Sequence, residues 1–370
     1  MIRVMLSSRM NLIDSSGIRK VFDLAAKLEN PINLSIGQPD FDVSDSIKAA
    51  ASEAIRAGKN RYTLTQGVSP LREALVGYAA REKGISCGID QTIVTSGVSG
   101  GLVLAFLALF GRGDEVIIPD PYFVMYKHLL RVFDATPVIV DTYPDFKLTA
   151  ARVEARLTPK TQAIIVGSPS NPTGVVMSAD EWKDLISLAR ARNILLISDE
   201  IYDAFVYDEA PFSPGSLYEN VLTLGGFSKS HGMTGWRLGY ALGPSEIVKA
   251  MITLQQYTFV CAPSMAQEAG LVALEESPEP HRLEYRKKRD RMIAALSPKY
   301  RIAPTGGAFY LFPEAPGGNA TEFCTRAITE KKLLLIPGNV FSEKDTHFRL
   351  SYAASDEMLD RGIEALLKLA

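Results

Sequence analysis

The sequence predicts an α/β protein with one large and one smaller domain. Three short runs, residues 163–166, 194–197 and 221–224, are almost wholly apolar, which is typical of parallel strands covered on both faces. A helical period at residues 179–190 separates the first two runs, and strands that alternate with helices form parallel sheets. The chain has 370 residues, which is more than a single hydrophobic core usually organises.

The remaining elements follow from the same periodicities. Before the three strands, the pattern predicts a loosely attached arm at 1–13, a short amphipathic helix at 21–28, a strand at 32–36, helices at 46–57, 71–80 and 102–110, and strands at 92–95, 115–118 and 137–140. After them, it predicts one charged helical region at 268–296, strands at 308–312, 333–338 and 348–352, a helix between the first two of these, and a last helix from Asp356. We therefore predict an N-terminal arm with part of the small domain at 1–45, a large domain at 46–280 and a small C-terminal domain at 281–370.

Composition excludes several classes of function. The net charge of −2 gives no basis for binding nucleic acid or an anionic membrane. The most apolar run, residues 102–110, is too short to span a bilayer, and the N-terminus lacks the pattern of a signal peptide. Three scattered cysteines suit reduced thiols, so we expect a cytoplasmic protein. Four histidines without ligand spacing predict no metal site.

Polar residues follow the carboxyl ends of all three apolar strands. Asn171 follows the first strand, Asp199 the second and Lys229 the third. Parallel strands end at the same edge of a sheet, and α/β proteins bind their ligands at that edge. We therefore expect these three side chains to share one site.

Two features beside this site predict a phosphate group. Small residues at 96–101 separate the strand at 92–95 from the following helix, so backbone N–H groups can approach a phosphate there. Arg237 lies eight residues after Lys229 and offers a guanidinium to the same group. An amine beside a phosphate cradle suggests a lysine that holds pyridoxal 5′-phosphate (PLP) as a Schiff base. The glycines lack the G-x-G-x-x-G spacing of a dinucleotide-binding turn.

Several motifs together resemble those of one enzyme family. They are Asn-Pro-Thr-Gly at 171–174, Asp-Glu-Ile-Tyr at 199–202, Ser-Lys at 228–229 and Met-Thr-Gly-Trp-Arg at 233–237, with Gly-Gln-Pro-Asp-Phe at 37–41 and Arg-Leu-Ser-Tyr at 349–352. In order and approximate spacing they resemble the class I/II aminotransferases of PLP fold type I, and most of all the prokaryotic aspartate and aromatic aminotransferases. The resemblance implies a mostly parallel seven-stranded sheet in the large domain.

The resemblance also implies a role for each matched residue. Lys229 would form the aldimine with PLP and later move the substrate proton, while Asp199 would pair with the pyridine nitrogen. The implied contacts are Asn171 and Tyr202 on the phenolic oxygen, Phe123 stacked on the ring, Gly97, Val98, Ser99, Ser228 and Arg237 on the phosphate, and Arg349 with Gly37 and Asn171 on the substrate carboxylate. Tyr62 would reach the phosphate of a neighbouring subunit, which implies a homodimer. The implied reaction moves an amino group between an L-amino acid, aspartate or aromatic, and a 2-oxo acid such as 2-oxoglutarate.

The chain departs from the family at two positions. Gly226 stands where the family often has serine, so one phosphate hydroxyl is missing or comes from Ser228. Ser99 replaces a longer polar residue at the phosphate turn. Phe22, Tyr126 and Phe259 are candidates for an aromatic side-chain pocket.

Three alternative functions remain open on the residues. A PLP-dependent carbon–sulfur lyase of the same fold would use the same ring contacts. A P-loop at 225–230 is disfavoured because Ser228, and not glycine, precedes the lysine. A PLP-sensing regulator would need an additional DNA-binding domain, for which this chain has no room.

Overall fold

The central element is a seven-stranded, mostly parallel sheet. The structure is a computed structural model that describes residues 6–13, 17, 21 and 28–370. The strands are β1 (Ile32–Asn33), β2 (Thr92–Thr95), β3 (Glu115–Asp120), β4 (Thr136–Asp141), β5 (Thr161–Gly167), β6 (Leu195–Asp199), β7 (Val221–Gly226), β8 (Gly239–Leu242), β9 (Tyr310–Leu311), β10 (Leu333–Leu334), β11 (Ile336–Pro337) and β12 (Phe348–Ser351). The large sheet has the order β2-β8-β7-β6-β5-β3-β4, and only β8 runs antiparallel to its neighbours. The predicted fold class is confirmed.

Helices cover both faces of this sheet. They are α1 (Asp45–Arg56), α2 (Ser69–Lys83), α3 (Gly97–Leu109), α4 (Val124–Val132), α5 (Ala150–Glu154), α6 (Ala179–Arg192), α7 (Ser245–Tyr257), α8 (Ser264–Ala273), α9 (Glu279–Leu296), α10 (Ala320–Lys331) and α11 (Asp356–Leu369). Successive residues of β5 show the layering, because Ile164 packs in the cluster of Trp182 from α6, whereas Ile165 packs in the cluster of Phe106 from α3. Both faces of the strand are therefore buried, which explains its unbroken apolar run.

A second group of elements forms small sheets beside the large one. Strands β11, β12 and β9 form an antiparallel sheet, and β1 pairs in parallel with β10. The pairing of β1 joins the N-terminal region to the C-terminal one, as the predicted division at 1–45 and 281–370 requires. The domain boundaries themselves remain our proposal.

Several local features differ from the sequence prediction. Helix α4 at residues 124–132, strand β8 and helix α7 were not predicted. The helical region at 268–296 is two helices, α8 and α9, and Pro278 is the N-cap residue of the second. Helix α3 begins at Gly97, so the glycine turn is already helical. The predicted helix at 21–28 lies largely outside the described residues.

Within residues 6–13, 17, 21 and 28–370, none of the helices combines the length and the apolar character needed to cross a bilayer.

Candidate active site

Three adjacent strands bring the predicted polar residues to one cavity. Strands β5, β6 and β7 are neighbours in the sheet, and Asn171, Asp199 and Lys229 lie at or just beyond their carboxyl ends. All three residues line a cavity of about 280 Å³ at this edge. The topology therefore produces the convergence that the sequence predicted for this edge.

Lys229 presents an amine that loses its charge easily. Its Nζ donates to the backbone oxygen of Gly37 at 2.8 Å and lies 6.0 Å from the centroid of the Tyr202 ring. Burial, helped by the nearby cations Arg349 and Arg237, lowers the pKa of Lys229 to about 8 against the opposing effect of Asp199. A substantial fraction of this amine is therefore neutral and nucleophilic near pH 8.

Asp199 is a buried carboxylate that forms no salt bridge with any of the described residues. It is 4% exposed, its Oδ2 accepts a hydrogen bond from the Tyr126 hydroxyl at 2.7 Å, and its Oδ1 accepts from the Ile201 N–H at 3.3 Å. Burial raises the pKa of Asp199 to about 6, although the Tyr126 hydrogen bond opposes this shift. Such a carboxylate gains strongly from any cation that enters the cavity.

Arg349 is a buried cation that pairs with no carboxylate in the part of the chain that the structure describes. Its Nη1 donates to Asn171 Oδ1 at 3.0 Å and its Nη2 to the backbone oxygen of Ser35 at 2.8 Å, but in the described part of the chain Nε has no hydrogen-bond partner. Its guanidinium carbon lies 4.6 Å from the Tyr310 ring centroid. Burial lowers the pKa of Arg349 from its ordinary value. A buried guanidinium held by neutral acceptors is a ready site for a carboxylate.

Gly37 allows this arrangement to be compact. A Cβ built at Gly37 would lie 2.7 Å from the Tyr310 hydroxyl and 3.7 Å from Arg349 Nη1. Any side chain at Gly37 would therefore push into the groups that surround Arg349.

A pair of tyrosines lies between Lys229 and Arg349. The hydroxyls of Tyr202 and Tyr310 are 2.8 Å apart, and both side chains are buried. Burial raises the pKa of Tyr202 well above its ordinary value, so this phenol stays protonated and can donate a hydrogen bond.

The opposite end of the cavity can receive an anion. Helix α3 begins here, and Val98 and Ser99 of its first turn line the cavity together with Ser228 and Arg237. The guanidinium of Arg237 packs on Gly97, where a Cβ would lie 2.5 Å from Nη2. Free N–H groups, hydroxyls and a guanidinium are the donors that bind phosphate.

The glycine at position 226 has a structural reason. A Cβ there would lie 3.2 Å from the Cα of Gly239 and 3.2 Å from the backbone oxygen of Leu238. A serine would therefore crowd the adjacent strand β8. Ser228, which is buried and lines the cavity, is the hydroxyl available in this segment.

Not every predicted residue lies in this cavity. Phe123 and Tyr126 line it, but Tyr62 and Phe259 lie on a separate, open groove that also includes Ser99 and Arg237. Tyr62 is 82% exposed. Phe22 lies outside the described residues.

Sequence reasoning missed other groups at this site. Tyr310 and Thr234 also line the cavity, and the backbone oxygen of Thr234 holds Arg237 Nη1 at 2.8 Å. Tyr126 was considered only for a substrate pocket, yet its hydroxyl binds Asp199. Thr234 stands inside the 233–237 motif and could have been named, whereas Tyr310 carries no local signal because its partners are distant in the chain.

The donor set fits PLP. The cavity offers an anion site at one end, an amine that can form a Schiff base, and a buried carboxylate that has no salt-bridge partner among the described residues. A phosphate, an aldehyde and a basic ring nitrogen match these three groups in turn. Within the described part of the chain, no three His, Cys, Asp or Glu side chains are grouped to hold a metal ion.

Comparisons with known proteins agree on one family. Residues 29–366 match the family described as aminotransferase class I and II. The putative aminotransferase YugH of Bacillus subtilis (strain 168) is 39% identical, with 98% of this chain and 97% of that protein covered. The probable aspartate aminotransferase of Methanocaldococcus jannaschii is 36% identical, with 97% and 98% covered. The solved aspartate aminotransferase from Thermus thermophilus with maleate has a TM-score of 0.96 at 34% identity, with 100% of each chain covered.

Proposed function

This chain belongs to the class I and II aminotransferases, and from this we propose that it moves an amino group between an L-amino acid and a 2-oxo acid such as 2-oxoglutarate, with PLP held on Lys229. The observation that carries the proposal is that Lys229, Asp199 and Arg349 border one cavity. Lys229 is easily neutralised, and among the described residues neither the carboxylate of Asp199 nor the guanidinium of Arg349 has a salt-bridge partner. The first two groups fit a cofactor, and Arg349 fits an α-carboxylate. The comparisons do not favour the carbon–sulfur lyase.

Each residue then has a task in the reaction. When bound, PLP supplies the electron sink that makes the Cα–H bond of the substrate acidic. Arg349 binds the α-carboxylate in two hydrogen bonds and so orients the substrate, with Asn171 beside it. The neutral amine of Lys229 would take the proton from the substrate Cα and would then deliver that proton to the cofactor carbon. Asp199 would balance a positive charge on the ring nitrogen of PLP, and the Tyr202 hydroxyl would donate to the ring oxygen.

The amino donor is proposed to be aspartate or an aromatic amino acid. The cavity has aromatic walls, with Tyr122, Phe123 and Tyr126 on one side. Within the described chain, the cations that line it are Lys229, Arg237 and Arg349, and each already has a task. A distal substrate carboxylate would therefore need a cation from beyond these residues.

A donor panel tests the proposed function. The purified protein with added PLP is incubated with single L-amino acids and 2-oxoglutarate, and glutamate and the new 2-oxo acid are measured. We expect equal amounts of both products, with aspartate or aromatic donors among the best. Release of free ammonia in place of glutamate would support the lyase and contradict the proposal.

Arg349→Lys should weaken the binding of every amino acid and every 2-oxo acid by a similar factor. A lysine keeps the charge but loses the paired geometry of the guanidinium. Losing one strong hydrogen bond to a charged group corresponds to a rise in KM of roughly 10- to 150-fold. Steady-state kinetics with several donors and acceptors measures this effect.

Two controls make the result specific to the carboxylate. Simple amines without a carboxylate should react with the Arg349→Lys variant as they do with the wild type. Arg289→Lys replaces another buried arginine, which pairs with Asp208 away from the cavity, and should leave KM unchanged. A change limited to one substrate of a pair would instead place Arg349 against the substrate side chain.

We also propose a homodimer in which Tyr62 reaches the partner's site. Large apolar side chains are exposed together around the open groove, with Tyr62 at 82% and Phe259 at 38% exposure. Exposed apolar patches of this kind mark protein–protein interfaces. The groove includes Ser99 and Arg237 of the anion site, so a partner seated here would be close to the phosphate.

Mixed dimers test this proposal. Lys229→Ala and Tyr62→Ala chains are produced together with different tags, and the dimer that carries both tags is purified. If Tyr62 acts across the interface, one of the two active sites contains both an intact Lys229 and an intact Tyr62. About half of the wild-type activity then returns. Homodimers of each variant serve as controls. A mixed dimer no more active than the average of its parents would show that Tyr62 acts within its own chain.

A cytoplasmic location stays our proposal for the compartment. Cys87, Cys261 and Cys324 are all free thiols in the structure, which suits a reducing environment.

A further inference from the structure

A buried ion cluster adjoins Asp199 at the carboxyl end of β6. It consists of Lys83, the last residue of α2, with Glu200 and Asp203 from the segment after β6. Lys83 Nζ lies 2.8 Å from Glu200 Oε2 and also bonds Asp203 Oδ2. The side chains of Lys83 and Glu200 are only 4% and 3% exposed. No task in the proposed reaction uses any of the three.

The cluster fixes the backbone between its two carboxylates. Glu200 Oε1 accepts hydrogen bonds from the hydroxyls of Ser198 at 2.8 Å and Ser213 at 2.7 Å, and the Glu200 N–H donates to Leu224 of β7 at 2.8 Å. The segment 199–203 is therefore held at several points. This segment also carries Asp199 and Tyr202, the two residues assigned to the ring.

The charges of the cluster also bear on Asp199. One ammonium faces two carboxylates, and both carboxylates raise the pKa of Asp199, after burial. Without Lys83, the segment 199–203 would hold three carboxylates with little exposure, and like charges resist ionisation. Among the described residues, the other titratable or charged groups that face Asp199 or the cluster are Tyr126 on α4, Tyr78, Arg81 and Glu82 on α2, Tyr240 on β8, Glu275 and Glu276 after α8, and Tyr202, Lys229 and His231 in loops.

We propose that Lys83 is a positioning residue that neutralises Glu200 and Asp203, and so holds segment 199–203 in place and keeps Asp199 ionised for the ring nitrogen of PLP. The proposal rests on the proposed function, because it assumes PLP at Asp199. Lys83 acts through Glu200 and Asp203 and does not line the cavity that contains Lys229.

The test is the pH dependence of PLP binding to the cofactor-free protein. In the wild type, affinity should fall as pH drops through about 6, because Asp199 takes up a proton there. Lys83→Met keeps the length of the side chain and removes its charge. We expect this fall to move about one pH unit higher, so that the dissociation constant is about 2-fold larger near pH 7 and about 10-fold larger near pH 5, with KM for the amino acid nearly unchanged.

Two further variants separate charge from packing. Lys83→Met with Glu200→Gln removes one cation and one anion, so the cluster regains its original net charge, and the fall in affinity should return towards pH 6. Asp203→Asn keeps Lys83 and removes one anion from a side chain that is 21% exposed, so the fall should move to lower pH. Lys249→Met, at an exposed site on α7 away from the cluster, is the matched control and should behave as the wild type.

The possible outcomes distinguish a failure of the proposed function from a failure of the role of Lys83. A wild type without saturable PLP binding would overturn the proposed function itself. A wild type that binds PLP, combined with a Lys83→Met or Asp203→Asn variant whose pH profile has not moved, would overturn the role of Lys83. The same holds if the double variant stays as impaired as Lys83→Met, because the loss would then come from packing. If Lys83→Met fails to fold, the direction of the Asp203→Asn shift alone decides.

Discussion

Lys229→Ala should abolish transamination, with a loss of turnover of at least about 10⁴-fold, because one amine serves as covalent anchor, base and acid. The variant should still bind PLP, since the anion site around Ser99, Ser228 and Arg237 is untouched. In the wild type, the attachment of PLP should speed up as pH rises towards about 8, because the neutral amine is the nucleophile and the pKa of Lys229 is lowered to about 8. Absorbance of the bound cofactor follows both effects.

Borohydride reduction identifies the attached lysine. It makes the Schiff base permanent, and mass spectrometry of the digested protein should find the cofactor on the Lys229 peptide in the wild type and on no peptide in Lys229→Ala. Lys249→Ala, at an exposed position on α7, is the matched lysine control and should keep full activity. Labelling of a different lysine in the wild type would refute the assignment.

The large sheet could be predicted where the chain carries local patterns. Strands β5, β6 and β7 are short apolar runs, and the rule that ligands bind at carboxyl ends placed Asn171, Asp199 and Lys229 together. Strand β8 was missed because residues 239–242 are few and glycine-led, and its antiparallel place between β2 and β7 is a tertiary property. Helix α4 has only 9 residues and was not predicted either.

The contacts that complete the site could not be predicted from local sequence. Lys83 and Glu200 lie 117 positions apart, and Tyr202 and Tyr310 lie 108 apart. Periodicity describes the face on which a residue lies within its own element, but it does not describe which distant residue meets it. Arg349 illustrates the limit, because only the family resemblance assigned it to the carboxylate.

Burying the charge of Asp199 lowers the stability of the cofactor-free protein, which implies that this residue is kept for its function. In the folded protein without cofactor the pKa of Asp199 is raised to about 6, whereas an unfolded carboxyl titrates near 4. Because the pKa of Asp199 is higher in the folded state, its protonated carboxyl contributes fully to the stability of the fold below the unfolded pKa of about 4. This contribution is lost as pH rises through the folded pKa of about 6. The difference of roughly two pKa units corresponds to about 3 kcal/mol at pH 8. Asp199→Asn should therefore stabilise the cofactor-free protein at pH 8 and change little at pH 4.

The same substitution should nearly stop the chemistry. Asparagine can still accept from the Tyr126 hydroxyl, but it cannot hold a positive charge on the ring nitrogen, so loss of the Cα proton slows. We expect kcat to fall about 10²- to 10³-fold, the effect of losing about two to three pKa units of charge stabilisation, while KM changes little.

Thermal unfolding at both pH values and steady-state kinetics of Asp199→Asn measure the two effects, and Asp184→Asn at an exposed position on α6 is the matched control. The control should change neither turnover nor the pH dependence of stability. Near-native turnover in Asp199→Asn would eliminate the role of Asp199 at the ring. A stability gain of equal size at pH 4 and pH 8 would show that the buried charge is not its source. Loss of activity together with a gain in stability above pH 6 is the combination that a carboxylate buried for its function must produce.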